Sequence, residues 1–408
     1  MLSISFLRAH CRLLGFGVLM TFCSSMGQTF FISLFSGEIR ADFALSDGEF
    51  GSLYSLGTLT SAAVLLWAGR LIDRLPLPVF AAAVLALLGE TCLLMGATWS
   101  AASLAVALFG LRFFGQGLSS HSAMVAMGRY FEAQRGRALS VATLGHTLGE
   151  AILPALVVAA LALAGWRQLW SGSGLLLLVL APLVLLLLKG QRDRDAAVRR
   201  QQESRATQGD RALAWVLRDP GLWLRLPALL AGPFIGTGLI FHQVHLAESK
   251  GWPLSLLAGS FTAYAACALG GLLLAGPLVD RFAARRLVPL LLVPLTLACL
   301  TLALSDAAPA ATLFMGLLGL TTGSGSVIFG ALWAELYGVT HLGAIRACAT
   351  SAMVFSTGLA PATLGFFIDR GAGMESIALA CALYCLIAGG LAISAEAAAR
   401  RRVQAEGS

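Results

Sequence analysis

Twelve stretches of this chain are each long and apolar enough to cross a bilayer, and no other feature constrains the fold as strongly. A membrane-crossing helix needs about 20 apolar residues. Runs of that length lie at roughly 13–35, 48–68, 77–98, 101–127, 138–164, 167–188, 220–245, 254–278, 287–305, 309–333, 347–368 and 376–395. In hydrocarbon every backbone N–H and C=O must find its partner within the chain, so such runs predict helices. Of the 408 residues 58% are hydrophobic and only 12% charged, against about 25% charged in soluble domains. The chain therefore reads as an all-α, multi-pass membrane protein whose first partner is the lipid bilayer.

Charge sorts by side of the membrane. An even number of spans puts both termini together, and of the 28 basic residues only Arg40, Arg167, Lys250 and Arg370 fall on the opposite side. Arg112 and Arg225 lie within runs, and the rest accompany the termini. The positive-inside rule then makes both termini and the long middle loop cytoplasmic. A net charge of +7 would suit nucleic acid only as a basic face on a soluble domain, and none is visible, so no nucleic-acid partner is expected. Arg8 and Arg12 precede a run of spanning length without a small-x-small cleavage site, which predicts a retained first helix. The eight cysteines sit in or beside apolar runs and read as small buried hydrophobes.

The pattern repeats. Gly69-Arg70-Leu71-Ile72-Asp73-Arg74 returns 207 residues later as Gly276-Pro277-Leu278-Val279-Asp280-Arg281, and the same shift carries Gly136 onto Gly343 and Pro154 onto Pro361. Such self-similarity indicates duplicated halves. The expected organisation is a six-helix bundle over 1–188, a polar cytoplasmic linker over 189–219, a second six-helix bundle over 220–395 and a cytoplasmic tail over 396–408.

Two six-helix halves, each with a Gly-x-x-x-Asp-Arg turn after its second helix, resemble the major facilitator superfamily along essentially the whole chain. Gly110-Leu111-Arg112-Phe113-Phe114-Gly115-Gln116-Gly117 is similar to that family's fourth-helix motif, and Arg129-Tyr130-Phe131 with Arg135-Gly136-Arg137 to its connection into the fifth. The resemblance implies twelve helices in two pseudo-symmetric bundles, alternating access, a bacterial inner membrane and a monomer. It also implies a gating role for Asp73, Arg74, Asp280 and Arg281. The first copy departs from the family pattern, with Leu75-Pro76-Leu77-Pro78 in place of glycine and basic residues. Helix 5 departs too: Gly145 and Gly149 resemble the start of the antiporter motif, but Glu150 stands where that motif places a proline.

Ionisable groups inside spans cost roughly 2.5–3.5 kcal/mol on insertion scales and so mark function or a partner. At 1.5 Å per residue, Arg112 lies about 17 Å from the outer end of its run and Glu150 about 18 Å from the inner end of its own, both near mid-depth. An ion pair between them, or a shared proton-linked site, is expected. His146 precedes Glu150 by four residues on one helix face, and Gln116 follows Arg112 by four, whereas His121 falls nearly opposite. Gln28 in Gly27-Gln28-Thr29-Phe30 brings an amide to mid-depth of the first run. The candidate substrate and proton-coupling set is thus Arg112, Gln116, His146, Glu150 and Gln28. Tyr54 reads as an interfacial aromatic, His242 and His245 as hydrated interfacial histidines without a third metal ligand, and Arg225 as snorkelling. Thr322-Gly323-Ser324-Gly325 reads as a packing motif, and Glu90 has no assigned role.

A mid-membrane arginine suits a carboxylate, and a Glu–His pair suits a proton. No nucleotide-binding motif is present, so the expected energy source is a proton gradient and no cofactor or metal is expected. The expectation is a transporter, not an enzyme: proton-coupled secondary transport of a small organic solute, a carboxylate anion being the class Arg112 would favour. Proton-driven efflux of amphiphilic or drug-like compounds is the alternative within transport, and a non-transporting sensor or scaffold the alternative of another class.

Overall fold

The structure, a computed structural model, describes residues 4–68, 72, 75–131, 134–190, 218–337 and 342–406. All regular elements among these are helical. The chain divides into two compact units: Met1–Leu45 with Ser52–Thr207, and Ser46–Gly51 with Gln208–Ser408. The six residues Ser46–Gly51 thus leave their sequence neighbours and pack with the second unit.

The first unit opens with α1 (Ile4–Ala9), α2 (Cys11–Cys23), α3 (Thr29–Ile32) and α4 (Ser36–Phe43), joined by 3₁₀ turns at Ser24–Gly27 and Ser33–Phe35. Next come α5 (Asp47–Ala68), α6 (Leu77–Gly96) and α7 (Ala101–Gly110), the last continued by a π-helical stretch over Leu111–Ser119 and then α8 (Ser120–Tyr130). The unit closes with α9 (Arg135–Leu161) and α10 (Trp166–Leu187). In the second unit lie α11 (Pro220–Phe241), α12 (Gln243–Ser249), α13 (Leu254–Phe282), α14 (Ala284–Leu304), α15 (Ala308–Tyr337), α16 (Leu342–Asp369) and α17 (Met374–Glu406).

Ten helices among the described residues have the length and apolarity to cross a membrane, and the first run adds an eleventh as a pair, Cys11–Gly27 and Thr29–Phe43, bent by 47°. The expected second span coincides with α5, a continuous 22-residue helix over Asp47–Ala68. α17 runs on to Glu406, so the residues expected to be a tail continue the last span as helix.

Outward faces of the spans are apolar. Val179 and Leu186 on α10, and Leu273 and Leu274 on α13, stay more than half exposed, as expected where lipid replaces water and apolar exposure costs nothing. Inside, small residues set the spacing. α13 makes its most extensive contacts with α15, and a Cβ added at Gly323 would run into the Ala268 backbone, which bears out the packing reading of Thr322–Gly325. In the first unit α2 packs along α9, and Thr21 Oγ1 donates to the Ala142 carbonyl at 2.5 Å. Trp170, fully buried, stacks edge-on to Phe31 at 5.3 Å.

Candidate functional site

The site begins with a backbone fault. At Gln28 the chain is extended, with φ −87° and ψ 153°. In an unbroken helix the Phe31 amide would donate to Gly27, but here it donates to the Gln28 carbonyl at 3.2 Å. The Gly27 carbonyl is released inside a span, where an unmet polar group costs several kcal/mol. Arg112 meets it: Nη1 donates to Gly27 O at 2.8 Å and Nε to Thr58 Oγ1 at 3.1 Å. The guanidinium carbon lies 5.1 Å from the Tyr54 ring centroid, a cation–π contact strengthened by desolvation. Tyr54 OH in turn shares a 2.8 Å hydrogen bond with Thr29 Oγ1, across the break.

Only glycines allow the crossing. A Cβ at Gly27 would lie 2.7 Å from the Gln116 amide nitrogen and 2.8 Å from the Gly115 Cα, and backbone cannot yield as a side chain can. The π-helical stretch over Leu111–Ser119, with i→i+5 bonding, wraps this contact; such turns recur at functional sites. It also loosens the four-residue register from which Arg112 and Gln116 were expected to share a face. Arg112 is 1% exposed and Ser119 fully buried, whereas Gln116 and Gln28 are half-buried. The Ser119 hydroxyl has no hydrogen-bond partner among the described residues.

The expected Arg112–Glu150 ion pair is absent. Arg112 is occupied by Gly27, Thr58 and Tyr54, and Glu150 pairs one turn back with His146, Oε1 to Nε2 at 3.4 Å. That pair keeps some exposure, 32% for His146 and 15% for Glu150, and Phe30 sits edge-on to the imidazole at 6.2 Å. His146 Nδ1 is buried and has no partner among the described residues. Gly145 and Gly149 do have the packing role: a Cβ at either would collide with α2 or the 3₁₀ turn that follows, at Val18 and Ser25.

Of the expected gating residues, Asp73 and Arg74 lie outside the described residues. Beside them, the Ile72 carbonyl accepts from Arg129 Nη1 at 3.2 Å. In the second copy Asp280 and Arg281 are exposed; Arg281 rests 5.3 Å over the Phe282 ring, and Asp280 has no partner among the described residues. Neighbouring charges pair instead. Arg285 Nε meets Glu335 at 3.1 Å, and Arg225, Arg285 and Arg286 converge on Glu396 at 3.5, 3.6 and 3.7 Å. Arg225 does not snorkel: it is 3% exposed, paired with Glu396, and donates to the Gly221 carbonyl at 3.0 Å.

Sequence reasoning missed Thr58 and Glu396 and misread Tyr54, which is not interfacial but fully buried against Arg112. The four-residue spacing of Tyr54 and Thr58 on one helix face was the available signal; Glu396 was hidden by being taken for tail. His242, expected to be hydrated, is 2% exposed. Among the described residues no group of three or more His, Cys, Asp or Glu is placed to hold a metal ion.

Helices of this length and apolarity define a polytopic membrane protein. A profile of the Major Facilitator Superfamily matches residues 17–260, more than half of the chain, and the protein belongs to that family. An MFS-type efflux pump of Mycolicibacterium smegmatis is 30% identical over 269 residues, covering 63% of this chain and 59% of that protein. The matched region thus spans under two thirds of that relative. In fold the chain is similar to a bacterial homologue of the human lysosomal transporter Spinster, solved inward-facing. The unoccupied form gives a TM-score of 0.67 at 15% identity over 95% of this chain and 94% of the other, and the occupied form 0.68 at 16% over 94% and 96%.

Proposed function

We propose that the protein is a proton-coupled secondary transporter that exports an amphiphilic organic compound by alternating access of two six-span halves. Its proposed setting is a bacterial inner membrane, with both termini cytoplasmic, as the distribution of basic residues supports. The observation that carries the coupling is the His146–Glu150 pair, two groups within 3.4 Å and partly exposed on a spanning helix. A carboxylate and an imidazole in contact can take up and release one proton between them, which is the elementary step a coupled transporter needs. Gln28 at the helix break and Gln116 on the π-helical stretch, both half-buried, are the proposed polar contacts for solute.

Three observations favour an amphiphile over a small carboxylate. Arg112 is 1% exposed and already bound by protein groups, so an anion would have to displace the Gly27 carbonyl to reach it. The second unit holds a cavity of about 550 Å³ lined mainly by apolar side chains, among them Phe234, Phe355, Leu359, Phe367 and Tyr384. The efflux pump named above is the third. Gating by Asp73, Arg74, Asp280 and Arg281 remains part of the proposal, with Arg285 and Glu396 added as their paired neighbours.

Proteoliposomes with an imposed pH gradient test this. Cationic dyes should move against the proton gradient while labelled small carboxylates do not, and Glu150→Gln should lose the dependence on the gradient. Gradient-driven carboxylate uptake would replace efflux by the anion reading, and undiminished coupling in Glu150→Gln would remove the pair from the mechanism.

A further inference from the structure

A second set of titratable groups lies far along the chain from His146, within the unit that contains Ser46–Gly51. Asp47, the first residue of α5, is 9% exposed and His242, which caps α11, is 2% exposed. Asp47 Oδ1 lies 3.4 Å from His242 Nδ1, and Oδ2 lies 3.4 Å from His245 Nδ1 on α12. The other nitrogen of His242, Nε2, lies 3.0 Å from the Pro361 carbonyl of α16. Two more acids face the same turn. Asp369 Oδ2 accepts from Ser46 Oγ at 2.7 Å and from the Gly48 amide at 2.9 Å, and Glu49 Oε2 accepts from the Ser46 amide at 2.9 Å.

Proton counting makes this arrangement informative. A carbonyl oxygen only accepts, so Nε2 of His242 must carry a hydrogen. In the neutral ring Nδ1 is then an acceptor, and it would confront the acceptor-only oxygen of an ionised Asp47. That contact is favourable only with one further proton between Nδ1 and Oδ1. His245 is different: its neutral Nδ1–H tautomer satisfies Oδ2 unaided. We propose that Asp47 and His242 form a proton-binding site distinct from His146–Glu150, with His245 holding the second oxygen of Asp47, and that its occupancy governs how firmly the first turn of α5 is held to α11 and α16.

Release of the proton leaves two acceptors facing each other and weakens the hold on Ser46–Gly51. The inference is independent of the transport assignment, since it concerns protein and protons alone.

Amide hydrogen exchange of the full-length protein in lipid nanodiscs, corrected for intrinsic chemistry, tests it. Protection of the Gly48–Gly51 amides should fall about tenfold between roughly pH 5 and pH 8, the range in which imidazole changes charge. Asp47→Asn should be protected and flat across that range, because its amide donates to neutral Nδ1 while its oxygen accepts from His245. His242→Gln should also be flat, and His245→Gln and His146→Gln should keep the wild-type slope. A flat wild type, or a wild-type slope retained in Asp47→Asn, overturns the proposal; loss of the slope in His245→Gln overturns the placement of the proton on His242.

Discussion

Replacing Arg112 by methionine should destabilise the protein by a modest amount that can be worked from its contacts. The substitution removes two hydrogen bonds from a charged donor, to Gly27 O and Thr58 Oγ1, each contributing about 1.5–3 kcal/mol. It also removes the cost of holding a guanidinium within the span, roughly 2.5–3.5 kcal/mol on insertion scales. The difference leaves a net loss of roughly 0–3.5 kcal/mol, centred near 1.5, most of it the orphaned Gly27 carbonyl. Arg112→Lys is the sharper comparison. Lysine keeps the charge but lacks the planar fork that reaches two acceptors at once, so it retains the desolvation cost with less compensation and should be at least as destabilised. Thermal unfolding of purified protein, with hydrogen exchange read at residues 24–32, measures both. Were Arg112 there to present positive charge to a solute, Lys would retain stability and transport; that outcome would refute the argument that its work is to close the broken first helix.

Gly27→Ala should be more damaging than most alanine substitutions, costing about 1–3 kcal/mol, because its Cβ meets the backbone of Gly115 and Gln116; an unshifted melting curve would count against the crossing. Ala283 adopts φ 68°, where a side chain is strained by about 1–3 kcal/mol, so Ala283→Gly should stabilise by about 1 kcal/mol after the entropic cost of glycine, read by the same melts. Lys250 Nζ, with no exposed side-chain surface, pairs with Asp306 at 2.5 Å and Glu375 at 2.7 Å. Burial alone would lower its pKa, but the hydrogen bonds to these two acids outweigh it and raise the value. The stabilisation is therefore complete below the ordinary lysine value of about 10.4 and is lost as pH rises through the higher folded one. Lys250→Met should cost roughly 1–2 kcal/mol at neutral pH, its partners being half-exposed or more, and the gap to wild type should close only in strong alkali.

The sequence by itself determined the class of this protein. Spanning length follows from bilayer thickness, backbone satisfaction demands helices, and the partition of arginines follows charge; each is a local or summed property that composition carries. The duplication and the major facilitator resemblance were equally legible, because Gly69–Arg74 and Gly276–Arg281 repeat as strings. Arg112, His146 and Glu150 could be singled out too, since a charge in an apolar run is conspicuous wherever it pairs.

Partner choice was settled only in three dimensions. Arg112 and Gly27 are 85 residues apart, and nothing in either segment announces that the first helix breaks there, that a carbonyl is freed, or that a π-helical stretch brings the guanidinium to it. Arg225 with Glu396 and Asp47 with His242 follow the same logic. An ionisable group inside a span must meet some polar group, but which one depends on where helices distant in sequence cross, and at Gly27 that crossing is possible only because both backbones lack a Cβ.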